Sequence, residues 1–391
     1  MTPAARPVVS DGETCDTVAK CAGEVRHLYV HLPFCGHRCG YCDFVTAVGR
    51  RDEHGTYVDA LVAELERERW RLCANVDTVF VGGGTPTFTE PDALRRVLDA
   101  LPACGELTVE ANPETVTPEL AELLREGGVN RVSLGAQSFR PELLQVLERV
   151  AGPGDVRRAF HTLRDAGFDN ISLDLIYGIP GQSAADLDAD LADALALEPE
   201  HLSCYELEAK PGTRFTHAHG DELARQAEAM EGHAERVVDS LTRAGYRWYE
   251  TANFCRVDGG RELRAQHNVA IWRGADYLGV GVGAVSTLGE ERRRNLPSVG
   301  RYTSALAAGE APPREVEVVD TSTRAVERLM LGLRLDEPFM VDDTGLVGIV
   351  DRGALERLIR GGLVEPCERG RVRLTPRGRL LGDAVTAEIL A

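Results

Sequence analysis

The chain has 391 residues, of which 43% are hydrophobic, and 62 acidic against 44 basic side chains give it a formal net charge of −18. The acidic excess repels phosphate backbones and argues against nucleic acid as the main partner. Its apolar runs stop short of the ~18 residues of a membrane span, and no secretory pattern opens the sequence, so we expect no transmembrane segment and a cytoplasmic location.

The length suits one large domain followed by a smaller one. Residues 1–25 are rich in Pro, Thr, Asp and Gly without periodicity, and they are predicted to form a flexible tail. Cys15 and Cys21 lie in this tail and are interpreted as incidental thiols. We assign 26–300 to a core with its C-terminal extension, and 301–391 to a small C-terminal domain.

From about Leu28, strand-like runs alternate with segments of helical period. The strand-like runs are LYVHL, DTVFVGG, ELTVEAN, RVSLGAQ, NISLDLIYG and HLSCYELE. Helix ends are indicated by Gly127-Gly128, Gly167 and Pro199. Six βα units in succession predict an α/β fold with a parallel sheet, either a barrel or a doubly wound sheet. In both, chemistry gathers at the carboxyl ends of the strands.

The alternation ends near residue 209. A long helical stretch then leads into YRWYETANF and the glycine-rich DYLGVGVGAVS. From about Thr321, helical segments and a β-wing predict a small α+β domain that is winged-helix-like.

Three cysteines, Cys35, Cys39 and Cys42, lie within eight residues after the first strand. A structural zinc site needs four ligands, and His31 or His37 would have to be the fourth. A disulfide does not suit a reducing compartment. An iron–sulfur cubane fits better, because three thiolates leave one iron open to chelate the amino and carboxylate groups of S-adenosylmethionine.

Other polar groups follow later strands. In VGGGTPTF, 81–88, glycines let the backbone approach a ligand, and their free N–H groups can meet a carboxylate or an amine. Glu110, Gln137 and Asp174 each end a strand. Helix capping or salt bridging explains any one of them, but it explains the whole set poorly.

These segments together resemble the branch of the radical SAM superfamily that contains the oxygen-independent coproporphyrinogen dehydrogenases and the HemW-type haem chaperones. The motifs that carry the resemblance are YVHLPFCGHRCGYCDF, FVGGGTPT, EANPE, NRVSLGAQSF, NISLDLIYGIPGQ, LEPEHLSCYELEAKPGTRF, GYRWYETANF, QHNVAIWRGADYLGVGVGAVS and LMLGLRL. The resemblance implies an open (β/α)6 partial TIM barrel followed by a small C-terminal domain.

It also implies roles for individual residues. Cys35, Cys39 and Cys42 would hold a [4Fe–4S] cluster. The S-adenosylmethionine pocket would be lined by Tyr29, Tyr41, Gly83, Thr85, Glu110, Gln137, Arg149 and Asp174. A carboxylate such as Glu110 suits the amine of this cofactor, Arg149 suits its carboxylate, and Asp174 suits ribose hydroxyls.

Within the branch, the dehydrogenases generally carry a cysteine two residues after the third cluster cysteine, where this chain has Phe44. The chaperones resemble this chain more closely. This resemblance implies that the protein binds haem and has an unidentified haem-acceptor protein as a partner, together with an electron donor if S-adenosylmethionine is cleaved. The alternatives are a coproporphyrinogen dehydrogenase and a HemN-like C-methyltransferase. A zinc-stabilised nucleic-acid binder suits the acidic charge badly.

His267 in QHNVAIW is the candidate haem ligand, because neutral imidazole is a common axial ligand of haem iron. The alternative role is a hydrogen bond at the barrel mouth. The chain departs from the family in one motif. Members of the family usually have the sequence L-G-R-x-H there, and in this chain Glu148 and Ala151 replace the glycine and the histidine.

Overall fold

The computed structural model describes residues 25–208, 210, 213–341 and 344–390. The predicted tail, with Cys15 and Cys21, lies outside these residues apart from Val25. Within the described ranges, no helix has both the length and the apolar character that a membrane span requires.

The described residues form seventeen strands. They are β1 His27–Leu32, β2 Phe34–Cys35, β3 Ala47–Val48, β4 Val76–Gly83, β5 Cys104–Ala111, β6 Arg131–Gln137, β7 Ile171–Tyr177, β8 His201–Glu206, β9 Tyr246–Glu250, β10 Asn253–Arg256, β11 Leu278–Val280, β12 Val285–Leu288, β13 Glu291–Asn295, β14 Arg314–Val318, β15 Phe339–Met340, β16 Val364–Cys367 and β17 Arg371–Leu374.

Thirteen α-helices accompany the strands in the same part of the chain. They are α1 His54–Glu68, α2 Pro91–Ala100, α3 Pro118–Glu126, α4 Pro141–Val146, α5 Pro153–Asp165, α6 Ala184–Ala196, α7 Arg214–Arg243, α8 Gln266–Trp272, α9 Val299–Ala307, α10 Thr321–Gly332, α11 Arg352–Arg360, α12 Pro376–Leu380 and α13 Gly382–Ile389.

Nine strands form one sheet in the order β11-β1-β4-β5-β6-β7-β8-β10-β9. The six predicted strands, β1 and β4 to β8, are consecutive parallel neighbours. β11 extends the sheet in parallel beside β1, whereas β10 and β9 continue it antiparallel beyond β8. Inward side chains of all six predicted strands line one cavity, so the sheet is curved into the predicted open barrel.

Local sequence explains where the helices begin and end. Ser183 caps α6 by accepting from the Asp186 N–H, and the Asp186 carboxylate accepts from the Ser183 N–H in return. After α5, Gly167 has a φ of 87°, a left-handed conformation that glycine adopts without a steric cost. Gly167 is one of the helix ends predicted from the sequence.

Apolar and polar residues alternate along the barrel strands. Outward residues such as Val79, Val109 and Leu173 are fully buried between the sheet and the helices, where the main apolar core lies. Their neighbours Glu110 and Asp174 point into the barrel. The period of two therefore produces an apolar outer layer and a polar interior that is suited to a ligand.

The C-terminal region has its own apolar core, which runs from Ala325 to Ile389. It packs α10, α11 and α13 around the antiparallel sheet β15-β17-β16, in which β16 and β17 form the predicted wing. Tyr302 and Leu306 of α9 belong to the barrel core instead. The division at residue 300 stays a prediction.

The C-terminal region is attached to β9, the last strand of the large sheet. The Asp336 N–H donates to the Tyr249 carbonyl at 3.0 Å. Arg379 donates to the Trp248 carbonyl at 2.7 Å, and its guanidinium lies 3.7 Å from the centre of the Trp248 ring. These contacts cover the outer edge of β9.

Candidate functional site

A cavity of about 590 Å³ opens at the carboxyl ends of the barrel strands. The structure brings all twelve predicted site residues into its wall: Tyr29, Cys35, Cys39, Tyr41, Cys42, Gly83, Thr85, Glu110, Gln137, Arg149, Asp174 and His267. They come from β1 and β4 to β7 or the turns after them, from β2 and the loop that follows it, from the segment between α4 and α5, and from α8. Their individual roles stay predictions.

The cysteine loop is held in place from two sides. β2, which contains Cys35, pairs with β3, and the Thr85 hydroxyl donates to Cys35 Sγ at 3.5 Å. Arg149 donates to Cys39 Sγ at 3.7 Å. All eight cysteines of the described residues are free thiols, so the disulfide alternative is wrong for this loop.

The donor set of the loop fits an iron–sulfur cluster. Burial, together with the charges of Cys42 and Cys39, raises the pKa of the Cys35 thiol to about 11, so a thiolate at this position requires a bound cation. Across the described residues, no three His, Cys, Asp or Glu side chains are grouped to hold one metal ion. A cubane binds each cysteine through a different iron and tolerates this wider spacing, whereas zinc needs all its ligands on one ion.

His31 is not free to complete a zinc site. Its Nδ1 is 3.0 Å from the Tyr29 hydroxyl, and its Nε2 is 2.8 Å from the Val45 carbonyl. Burial lowers its pKa to about 4, so the ring is neutral. His31 therefore supports the floor of the cysteine loop through two hydrogen bonds.

The N–H groups of the glycine-rich turn are not free for a ligand, so that part of the prediction is wrong. The Gly83 N–H donates to Glu110 Oε2 at 3.1 Å, and the Gly84 and Thr85 N–H groups donate to carbonyls of the β1–β2 segment at 2.8 Å. Glycine is needed for close packing: a Cβ on Gly83 would lie 2.8 Å from the His31 ring.

Two buried carboxylates face the cavity. Burial raises the pKa of Glu110 to about 7; the charge of Asp174 adds to the rise, and the Gly83 N–H opposes it. Burial also raises the pKa of Asp174, although the hydroxyls of Ser133 and Ser172 donate to it. A cationic ligand group would relieve the cost of holding Glu110 ionised.

Arg149 is fixed where a ligand carboxylate can meet it. One guanidinium nitrogen donates to Asn112 Oδ1 at 3.0 Å and to the Gly135 carbonyl at 2.8 Å. Nearby, Gln137 has a φ of 65° at a bulge between β6 and β7. Backbone strain of this kind persists where the surrounding structure imposes it, as at binding sites.

Glu148 explains one departure from the family. Its φ of 54° is the left-handed conformation that suits the glycine usual there. The Glu148 carboxylate lies against Gly40 of the cysteine loop and accepts from Arg214 at 2.7 Å. Ala151 is buried and offers no polar group.

His267 lies at the start of α8 on the cavity floor, only 2% exposed. Its Nδ1 is 2.8 Å from the Thr78 hydroxyl, while its Nε2 has no hydrogen-bond partner among the described residues. Burial lowers its pKa to about 3, so the imidazole is neutral. Its ring packs against Phe80 with centroids 5.4 Å apart.

Several lining residues were missed in the sequence. They include Phe80, Asn112, Arg131, Ser133 and Tyr205. The period of two along β6 puts Arg131 and Ser133 on the same face as Gly135, so alternation was the available indication. Asn112 belongs to the EANPE motif, in which only Glu110 was considered as a site residue.

Comparison with known proteins supports these observations. Residues 29–194 match the model of the Radical SAM superfamily. Proteins named "Heme chaperone HemW" are similar along almost the whole chain. The Mycobacterium tuberculosis protein is 35% identical over 385 residues, 95% of this chain and 97% of its own. The Bacillus subtilis protein is 33% identical over 382 residues, which cover 94% of this chain and 99% of that protein. The Escherichia coli protein is 32% identical over 379 residues, which cover 93% of this chain and 98% of that protein.

The structure of coproporphyrinogen III oxidase (HemN) from Escherichia coli superimposes with a TM-score of 0.78 at 23% identity, over 94% of this chain and 91% of its own. This likeness shows a common fold. With the match of residues 29–194 and the identity to curated relatives along nearly the full length, the chain belongs to the HemW family of the radical SAM superfamily.

Proposed function

We propose that the protein is a haem chaperone that binds haem in the barrel cavity and passes it to an acceptor protein, whose identity is open. The relatives that it matches over more than nine-tenths of its length are named for this function. The observation within the molecule that carries the proposal is the buried, neutral imidazole of His267, whose Nε2 has no partner among the described residues.

The cavity also has the residues for the cofactors of the superfamily, a [4Fe–4S] cluster and S-adenosylmethionine. Cys35, Cys39 and Cys42 would hold the cluster. Glu110 would bind the cofactor amine and Arg149 its carboxylate. A bound cluster would supply the electron for any cleavage of S-adenosylmethionine, and an electron donor would be required in that case. Free thiols and an oxygen-labile cluster suit a reducing compartment such as the cytoplasm.

The surroundings of His267 suit an iron ligand. The Thr78 hydroxyl lies between two imidazoles, 2.8 Å from His267 Nδ1 and 2.9 Å from His27 Nδ1. A hydroxyl has one proton, so it can donate to one ring and accept from the other. When it accepts from His267 Nδ1–H, the lone pair of His267 Nε2 is left for haem iron, and Thr78 fixes the ring as an outer partner.

Haem titration of the anaerobically reconstituted protein tests this proposal. We expect a Soret band that saturates at one haem per chain, and a His267→Ala variant with a shifted band and an affinity at least tenfold lower. The matched control is His161→Ala, because His161 is exposed on α5, outside the cavity. Absence of saturable haem binding by the unmodified protein would refute the proposed function. An unchanged spectrum of the His267 variant would remove only this residue from the site.

A further inference from the structure

Arg131 is a buried cation on the cavity floor, and it has no direct counter-ion among the described residues. Its side chain is only 2% exposed, and its Nε is buried without a hydrogen-bond partner. Arg131 lines the cavity, and none of the ion pairs or hydrogen bonds found among the described residues includes its guanidinium. Buried guanidinium groups are normally paired, because the desolvation of an unpaired charge is costly.

The nearby carboxylates make their hydrogen bonds to other groups. The charge of Arg131 lowers the pKa values of Glu106, Glu110 and Asp174 from a distance. However, the two oxygens of Glu106 accept from the N–H groups that begin α8, at 3.0 and 3.1 Å. Glu110 accepts from Gly83, and Asp174 accepts from serine hydroxyls. The protein thus balances the charge of Arg131 without pairing it.

Arg131 and Arg149 are held at different depths of the cavity. Arg149 donates to the Gly135 carbonyl, close to the cysteine loop, whereas Arg131 begins β6 four residues earlier. At the rise of a parallel strand, these points are separated by roughly 13 Å. If Arg149 takes the carboxylate of S-adenosylmethionine, Arg131 remains for a second anion.

The neighbours of Arg131 place it beside the proposed haem ligand. It pairs in register with Thr108 of β5, and Thr108 pairs with Phe80 of β4, against which the His267 ring packs. Arg131 therefore lies two strands, about 10 Å, from the strand beneath His267. Thr108 Oγ1 is also buried without a partner among the described residues.

We propose that Arg131 is the counter-ion for a carboxylate of a ligand in the cavity, and that this carboxylate is a propionate of the bound tetrapyrrole. The assignment to a tetrapyrrole rests on the proposed function. The planar guanidinium pairs with a carboxylate through two parallel hydrogen bonds, and in a buried site such a pair contributes strongly to affinity.

The test compares three ligands on the anaerobically reconstituted full chain: haem, haem dimethyl ester and S-adenosylmethionine. We expect Arg131→Gln to bind haem at least tenfold more weakly. The ester, which has no free carboxylate, should bind the variant and the unmodified protein equally, and S-adenosylmethionine should also be unaffected. Arg131→Lys, which keeps the charge without the planar fork, should be intermediate.

The control is Arg140→Gln, because Arg140 lies outside the cavity and pairs with Asp190 and Asp193. Melting temperature and iron content establish that each variant folds and retains its cluster. Weaker binding of S-adenosylmethionine alone would keep the carboxylate site but overturn its assignment to the tetrapyrrole.

Equal weakening of haem and its ester, or unchanged affinity for every ligand, would overturn the proposal. If the unmodified protein binds no haem, the proposed function fails, and the S-adenosylmethionine measurement alone then decides the role of Arg131.

Discussion

The N–H of Gly83, at the end of β4, donates to the Oε2 atom of Glu110 on β5 at 3.1 Å. This bond joins the glycine-rich turn to the carboxylate that would receive the amine of S-adenosylmethionine. Burial nevertheless holds the pKa of Glu110 at about 7, so this carboxyl changes its charge within the physiological range.

We predict that the affinity for S-adenosylmethionine falls as the pH drops below about 7, because a protonated Glu110 cannot pair with the ammonium group. Isothermal titration between pH 6 and 8 measures this dependence. Glu110→Gln should bind the cofactor at least tenfold more weakly and show a flat profile over the same range. A variant with the pH profile of the unmodified protein would contradict this role of Glu110.

Glu110 should also shape the pH dependence of stability in the ligand-free protein. Its folded pKa, about 7, is above the value of ~4.3 of an unfolded glutamate, so the folded state binds the extra proton. Its contribution is therefore fully present below pH ~4.3 and is lost as the pH rises through 7. We expect the melting temperature of Glu110→Gln, relative to the unmodified protein, to rise between pH 5 and pH 8. A constant difference in melting temperature between the two proteins over this range would show that Glu110 titrates outside pH 5 to 8.

The cysteine loop predicts one oxygen-sensitive cluster per chain. Anaerobic analysis should find about four iron and four sulfide per chain. Cys39→Ala should lose the cluster absorption, whereas Cys367→Ala, a free thiol in the C-terminal region, should retain it. One zinc per chain without iron would contradict the cluster.

Glu148 gives a stability prediction. Glu148→Gly relieves a left-handed backbone conformation, which costs a non-glycine residue about 1 kcal/mol. It also removes the ion pair with Arg214, but both partners are substantially exposed, so that loss is under about 1 kcal/mol. We expect the melting temperature to stay the same or to rise by a few degrees. A clear fall would mean that the contact with Gly40 holds the cysteine loop more strongly than the backbone strain opposes it.

We predict no conversion of coproporphyrinogen III to protoporphyrinogen IX. Phe44, two residues after Cys42, cannot supply the thiol that the dehydrogenases generally have there, and its side chain is exposed at the cavity. The assay is anaerobic incubation with reductant and S-adenosylmethionine, followed by chromatography of the oxidised porphyrins. Multiple turnovers to protoporphyrin would favour the enzyme over the chaperone.

The barrel was predictable because each of its six units has a local pattern, a strand-like run followed by a helical one. The polar residues that face the cavity were predictable for the same reason, since Glu110 and Asp174 interrupt apolar runs. Glu110 lies near the end of β5 as expected, whereas Asp174 lies in the middle of β7 and not at its end. Arg131 was missed because it begins β6, away from the end where polar residues attract attention. The positions of β9, β10 and β11 depend on pairing between distant segments, which local periodicity does not contain. The hydrogen bonds of the 83–85 turn likewise depend on β1 and β2, so the expectation of free N–H groups failed.

An open barrel, unlike a closed one, has exposed strand edges, and here residues beyond 335 cover the edge of β9. During synthesis the barrel leaves the ribosome before Asp336 and Arg379 are available. Until then, the Tyr249 carbonyl and its neighbours can pair with the same edge of another nascent copy. Once the C-terminal region has been made, its contacts with β9 close this edge to such pairing.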